Sequence, residues 1–310
     1  MATKSKRSIK WLIGISIALA ALLLPKFASD YGIHIAIISL FYVLMSSSWN
    51  LVAGFTGQVS FAHAAFAAIG AYASSLMAIH YNLPIPLTIV FGTCIAGTLG
   101  HVLGRLCLPL GGTYLSLVTL SFAEILRIVI TNEDQWTRGT MGLQVPGIFR
   151  DYSKTKYYLL FLAITVFAVL GLNLLIRSRM GLRFRAVMDD EIAAASVGVH
   201  TTNIRVLAFT LSSLIAGLAG ALYGHYAMLI SPDIGSLAQM FLILAMTMIG
   251  GLGSIEGPIF GAILLEVLSE QIRSFGEYHL LVFGVISLLI VRFAPQGLAG
   301  LLRRQRWKLF

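Results

Sequence analysis

The chain has 310 residues, 57% of them hydrophobic and only 11% charged, with a mean hydropathy of +0.86. A soluble domain carries roughly a quarter charged residues, so this composition excludes that class and gives an all-α integral membrane protein. The net charge of +9 then reports topology, and no nucleic-acid partner is expected.

The N-terminus, MATKSKRSIK, is basic, and an apolar run follows to Pro25. A signal peptide has this shape, but Pro25-Lys26-Phe27-Ala28-Ser29-Asp30 is a poor cleavage site, so an uncleaved first span is expected. Runs long enough to cross a bilayer fall at about 11–28, 32–52, 58–80, 84–108, 112–131, 156–176, 206–229, 236–252, 257–273 and 278–294, about ten spans in all. None shows the period-two alternation of a membrane strand. Cys94 and Cys107 share one span, roughly 20 Å apart along a helix, too far to bridge.

Lys and Arg set the orientation. Lys4, Lys6, Arg7, Lys10, Arg105, the arginines between 177 and 205, Arg292, Arg303, Arg304, Arg306 and Lys308 fall on one side, and about half as many fall on the other. Both termini and the 177–205 segment are therefore expected in the cytoplasm. The whole chain, 1–310, is read as one transmembrane domain with cytoplasmic tails at 1–10 and 303–310. The longest outer loop, about 132–155, carries no catalytic or targeting pattern.

The segment RSRMGLRFRAVMDDEIAAASVGVHTTNIR, Arg177 to Arg205, is the long polar passage of the chain. Its charges cannot lie in hydrocarbon. Asp189–Val197 has the composition of a short alanine-rich helix, and Gly198 is a natural stop. A water-exposed helix between two apolar halves is a handle for a docking partner; the plain alternative is a solvated connector.

Small residues are dense in the spans, as in His63–Ala71, Gly97–Gly104 and Ala216–Ala221, and helix packing accounts for most of them. A faint repeat relates GFTGQVS, Gly54–Ser60, to GGLGSIE, Gly250–Glu256. Transporters built from duplicated halves carry interrupted helices near the pathway. On that reading Gly54, Gly57, Gly250, Gly251, Gly253, Gly257 and Pro258 are hinge or break positions.

No nucleophile–base pattern, phosphate loop or metal-ligand spacing occurs, and the histidines are scattered, so no catalytic or metal-binding residue is assigned. Two polar groups inside the spans are candidates for a water-lined path: Asn50, Gln58, Ser60 and His63, and then Thr113, Tyr114, Ser116, Thr119 and Glu124. Hydrogen bonding between helices is the competing explanation for each singly. Glu124 and Arg127 stand i,i+3 and are placed to neutralise each other. Glu266 and Glu270, on one helix face, are the strongest argument for a proton-coupled alternative.

Several passages resemble the permeases of bacterial branched-chain amino-acid ABC importers: NLVAGFTGQVSFAHAAFAAIGAY from Asn50, GGTYLSLVTLSFAEI from Gly111, GLRFRAVMDDEIAAASVGV from Gly181, AFTLSSLIAGLAGALY from Ala208, Ser231-Pro232-Asp233, GGLGSIEGPIFGA from Gly250 and PQGLAGL from Pro295. The likeness runs through nearly the whole chain and fits the M-type subunit. It implies a ten-span permease that pairs with an H-type subunit, two cytoplasmic ATP-binding subunits holding ATP and Mg, and an extracytoplasmic solute-binding protein, in the bacterial inner membrane. The chain itself would then bind no cofactor and hydrolyse nothing. The resemblance also implies that the 177–205 segment couples to the ATPase, a role carried here to Arg183, Arg185, Asp189, Asp190, Glu191, Ala194 and Gly198. The shorthand E-A-A-x-x-x-G of many ABC permeases is absent in strict form, since Glu191 precedes Gly198 by seven positions. The expected solute is leucine, isoleucine or valine, with urea, amides and small carboxylates as alternatives. The rival classes are a self-sufficient carrier or channel, and a membrane transferase, which would need clustered His, Asp or Arg at one face.

Overall fold

The computed structural model describes residues 21–108, 112–272 and Gly284. Within them the chain forms α1 (Asp30–Thr56), α2 (His63–Tyr81), α3 (Ile85–Cys107), α4 (Gly112–Asn132), a strand β1 (Leu143–Gln144), α5 (Lys154–Arg177), α6 (Arg179–Asp189), α7 (Glu191–Ser196), α8 (Thr201–Ala227), β2 (Leu229–Ile230), α9 (Leu237–Gly250) and α10 (Glu256–Ile272). Among the described residues six helices, α1–α5 and α8, are long and apolar enough to cross a membrane. The protein is an all-α, multi-pass membrane protein. Residues 21–27 are helical and belong to the expected span at 11–28; the rest of that span and the one at 278–294 lie outside the described residues.

The span expected at 58–80 starts five residues later, at His63, for a local reason. Gly57 takes a left-handed conformation, φ 71°, and its N–H caps α1 by reaching back to the Val52 carbonyl. Five irregular residues follow before α2 begins. Helix continuation through Gly57 would need a right-handed backbone, which the cap forbids.

α2, α3 and α8 form the tightest part of the bundle. A Cβ placed on Gly70 would lie 2.0 Å from the Gly217 carbonyl oxygen, and one on Gly220 would lie 1.9 Å from that of Ala67. Backbones touch here, which accounts for the small residues in both stripes. α1 packs on α8, α5 and α10, and Trp49, Phe66, Phe161 and Phe209 fill the centre. α4 and α5 stay on the outside, with Ile125, Val129, Phe167 and Leu174 exposed. Cys94 and Cys107 are free.

The loop 133–153 is more structured than its sequence suggests. β1 pairs antiparallel with β2, Leu143 opposite Ile230 and Gln144 opposite Leu229. This two-residue ribbon, at the end of the bundle remote from α6 and α7, was not foreseen in a chain of long apolar runs. His225 fastens it: Nδ1 donates to the Pro146 carbonyl at 2.8 Å, and Nε2 meets the Ser74 hydroxyl at 2.8 Å. Tyr157 adds a hydroxyl donated to the His225 carbonyl at 3.3 Å. Farther along the loop, Lys156 pairs with Asp151 and holds its carboxyl below the usual carboxylate range.

Candidate functional site

The 177–205 segment folds as two helices with a sharp corner, where the sequence suggested one helix over Asp189–Val197. The corner is Asp190, extended at φ −156°. Its carboxylate accepts from the N–H groups of Ile192 and Ala193, both at 2.9 Å, and so starts α7. Asp189 instead closes α6. α7 ends in a Schellman arrangement: the Val199 N–H reaches the Ala194 carbonyl, the Gly198 N–H reaches that of Ala195, and Gly198 stands at φ 84°. The expected stop is where the sequence put it.

α6 and α7 rest on an apolar cluster of their own. Phe184 and Val187 of α6 and Ala194 of α7 meet Leu51 and Phe55 of α1, Leu172 and Ile176 of α5, and Ile204 and Ala208 of α8. The outer face is different. Arg183, Arg185, Asp189 and Asp190 are exposed, and so are Leu182, Ile192 at 81% and Val197 at 80%. Sequence reasoning overlooked these three apolar side chains; their signal was apolar residues inside an otherwise polar loop. Ala194 faces inward, buried, and therefore does not belong to that outer face. Glu191 reaches back from α7 to pair with Arg205 at the start of α8.

The two glycine motifs come together at this same end. A Cβ on Gly54 would lie 2.5 Å from the Gly253 nitrogen, so the motifs touch backbone to backbone. Asn50 staples them: its amide donates to the Ser254 carbonyl at 2.8 Å and its oxygen accepts from the Gly253 N–H at 3.0 Å. Gly57 and Gly253, equivalent in the repeat, share a left-handed backbone at φ 71° and 69°. Gly250 closes α9, Gly251 is its cap, and Gly257 and Pro258 open α10, with Gly257 donating to the Ser254 hydroxyl at 3.0 Å. Both motifs are therefore breaks between helices. Gly57 also faces Met188 of α6, which puts the first break against that helix.

The candidate pathway residues divide. Gln58, Thr113 and Ser116 line one cleft of about 390 Å³, together with Arg205. The Gln58 Oε1 and the Arg205 Nε are buried there without a hydrogen-bond partner among the described residues. Ser60 and Thr119 are structural braces. Ser60 accepts from Trp49 Nε1 at 2.8 Å through its carbonyl, and Thr119 accepts from the Phe61 N–H at 3.0 Å. Ser116 adds a hydroxyl donated to the Val59 carbonyl at 2.8 Å. These bonds hold the irregular 58–62 stretch against α4. His63 is fully buried between Phe66 and Phe209, near the Ser48 carbonyl, yet neither ring nitrogen has a partner at hydrogen-bond geometry. Tyr114 is 70% exposed on the outside of α4. Glu124 pairs with Arg127 at 2.5 Å, as the spacing suggested, and stands apart from the cleft. No cluster of metal-ligating side chains occurs among the described residues.

A helical corner with an exposed charged face, two apposed breaks and a polar cleft stand at one end of an apolar bundle. The model of the branched-chain amino acid transport system / permease component family matches residues 32–291. The chain belongs to that family. It is 31% identical to the high-affinity branched-chain amino acid transport system permease protein LivM of Salmonella typhimurium, over 91% of this chain and 73% of that one. To LivM of Escherichia coli it is 31% identical over 94% of this chain and 75% of the relative. To LivH of Escherichia coli it is 28% identical over 84% and 91%. No solved structure matches. Relatives named LivM and LivH thus both resemble this chain.

Proposed function

We propose that this chain is the M-type half of the membrane channel of an ATP-driven importer for leucine, isoleucine and valine in the bacterial inner membrane. An H-type permease completes the pathway. Two cytoplasmic ATP-binding subunits, which hold ATP and Mg, drive it, and an extracytoplasmic binding protein delivers the solute. In this reading the full chain has ten spans with both termini in the cytoplasm, and α6–α7 is the surface that meets the ATPase.

The observation that carries the reading is the construction of α6–α7. Its outer face offers exposed Leu182, Ile192 and Val197 among arginines and acids, while its inner face is locked to α1, α5 and α8 by one apolar cluster. An apolar knob ringed by charge is what a docking contact in water needs. Movement of the ATPase would pull on α6–α7, and the shared cluster would pass that pull to three helices at once. It would also press on Gly57 through Met188, and so on the apposed breaks where Asn50 joins α1 to the α9–α10 turn. The cleft lined by Gln58, Thr113, Ser116 and Arg205 lies beside these breaks and is the segment of the pathway that such a movement would open or close.

The test is ATP-driven uptake of labelled leucine into proteoliposomes holding both permeases and the ATP-binding subunits, with the loaded binding protein outside. Charge reversal at Asp190 and Glu191 together is expected to abolish uptake while the binding protein still holds its ligand. Unchanged uptake in that variant, or accumulation by this chain alone without nucleotide, would sink the reading.

A further inference from the structure

At the end of α8 opposite the docking segment, about 40 Å away along the helix, the structure holds a second cavity, of about 140 Å³. The rings of Phe41, Tyr42 and Tyr223 wall it on one side; Phe41 and Tyr223 lie 4.8 Å apart between centroids, and Phe41 and Tyr42 lie 5.1 Å apart. Ile38 and Ile234 line an apolar part. Two polar groups complete it: the carboxylate of Asp233 and the amide of Gln239.

Their hydrogen bonding is informative. Tyr42 donates to the Gln239 Oε1 at 2.8 Å, and the amide N–H groups of Gln239 have no acceptor among the described residues. Asp233 accepts one bond, from Ser231 at 3.2 Å, and forms no ion pair among the described residues. Arg127 is within electrostatic reach of Asp233, but its guanidinium is committed to Glu124.

We propose that this cavity is an entry subsite that takes the ammonium end of an aliphatic amino acid. The proposal rests on the reading of the chain as an importer subunit for such solutes. An ammonium group is attracted by aromatic walls and by a carboxylate that forms no ion pair among the described residues. The Gln239 N–H groups suit the solute's carboxylate, and Ile38 and Ile234 suit a branched aliphatic side chain. A neutral amide such as urea gains little from the rings, and a simple carboxylate meets the Asp233 carboxylate. Nearly every ingredient lies outside the polar stretches that the sequence singled out, because aromatic and aliphatic residues in a span look like ordinary core.

The experiment uses the complete complex in lipid nanodiscs and saturation-transfer NMR with four small probes: leucine, isopentylamine, isovalerate and urea. Leucine and isopentylamine are expected to bind, and isovalerate and urea to bind much more weakly. Asp233→Asn is expected to weaken isopentylamine roughly tenfold, and Asp233→Glu, which keeps the charge, to retain it. Isovalerate binding as tightly as isopentylamine, an unaltered Asp233→Asn, or equal losses in both variants would overturn the proposal. ATP-driven leucine uptake by the unaltered complex is measured in parallel. Uptake without Asp233-dependent amine binding defeats the subsite alone; amine binding without any ATP-driven uptake defeats the importer reading.

Discussion

The two ends of the bundle are fastened by different means. At the α6–α7 end, pieces of α1, α5, α6, α7 and α8 converge on one apolar cluster, and Asn50 and the glycine contacts join the two breaks backbone to backbone. At the ribbon end, the loop is held by a few directed bonds, chiefly His225 to Pro146 and the two-residue ladder, over a smaller cluster of Ala68, Tyr72, Ile130, Leu143 and Ile230. Apolar convergence makes motion collective, since no one helix can leave without exposing the others. Directed bonds break one at a time and allow local opening. On the proposed reading, the α6–α7 end would transmit displacement, and the ribbon end would admit a solute without disturbing the rest.

The sharpest way to break this contrast is Phe184→Ala. Phe184 is fully buried and central to the docking-end cluster, so truncation is expected to cost about 3–5 kcal/mol. Limited proteolysis should cut first within 178–200, and the ATP-binding subunits should no longer co-purify, while amide exchange at 143–145 is unchanged. Loosening of both ends together would show that the ends are one cooperative unit and would defeat the comparison. A smaller effect is expected from His225→Ala, which leaves the Pro146 carbonyl without its donor, at about 1–3 kcal/mol. Exchange should then speed up at Gln144 and Val145, with assembly of the ATP-binding subunits intact.

The polar corner of α6 and α7 was largely legible in the sequence because its signals are local. Five arginines and three consecutive acids cannot lie in lipid, and Gly198 stops a helix whatever surrounds it. The glycine motifs were legible as a repeat; that they touch was not, because Gly54 and Gly253 are neighbours only through the packing of α1 against α9 and α10. Reading polar span residues as pathway residues was least discriminating. Asn50 and Thr119 are bonded to nearby backbone, whereas Gln58 lines a cleft, and nothing in one residue's identity distinguishes a staple from a lining group. The ribbon was invisible for the same reason: two residues carry no periodicity, and its partner strand lies beyond three intervening helical segments and the whole of α8.

Asp190 refines the docking end further, because its carboxylate does two things. As the cap of α7 it is worth about 1 kcal/mol of local helix stability, which Asp190→Ala loses and Asp190→Asn largely keeps. As a charge on the outer face it is lost in both. If uptake by the complete importer falls equally in the two variants, the charge meets the ATPase; if Asp190→Asn transports normally and Asp190→Ala does not, the corner itself is what matters.

The smallest expected stability effect, and the most discriminating, concerns the pair Glu191–Arg205. Glu191 is 41% exposed, so water and salt screen the pair, and it is worth at most about 1 kcal/mol. Removing it alone should hardly change unfolding. Yet it is a polar tie from α7 to a side chain that lines the Gln58–Ser116 cleft, and so it links α7 to that cleft by a single side chain. If that link carries displacement, Glu191→Gln and Arg205→Gln should each lower leucine transported per ATP hydrolysed. The double substitution should be no worse than either alone, because one broken tie cannot be broken twice. Losses that add independently would mean that Glu191 serves the ATPase and Arg205 serves the cleft separately. The pull from the docking end would then reach the breaks only through the apolar cluster beneath Phe184.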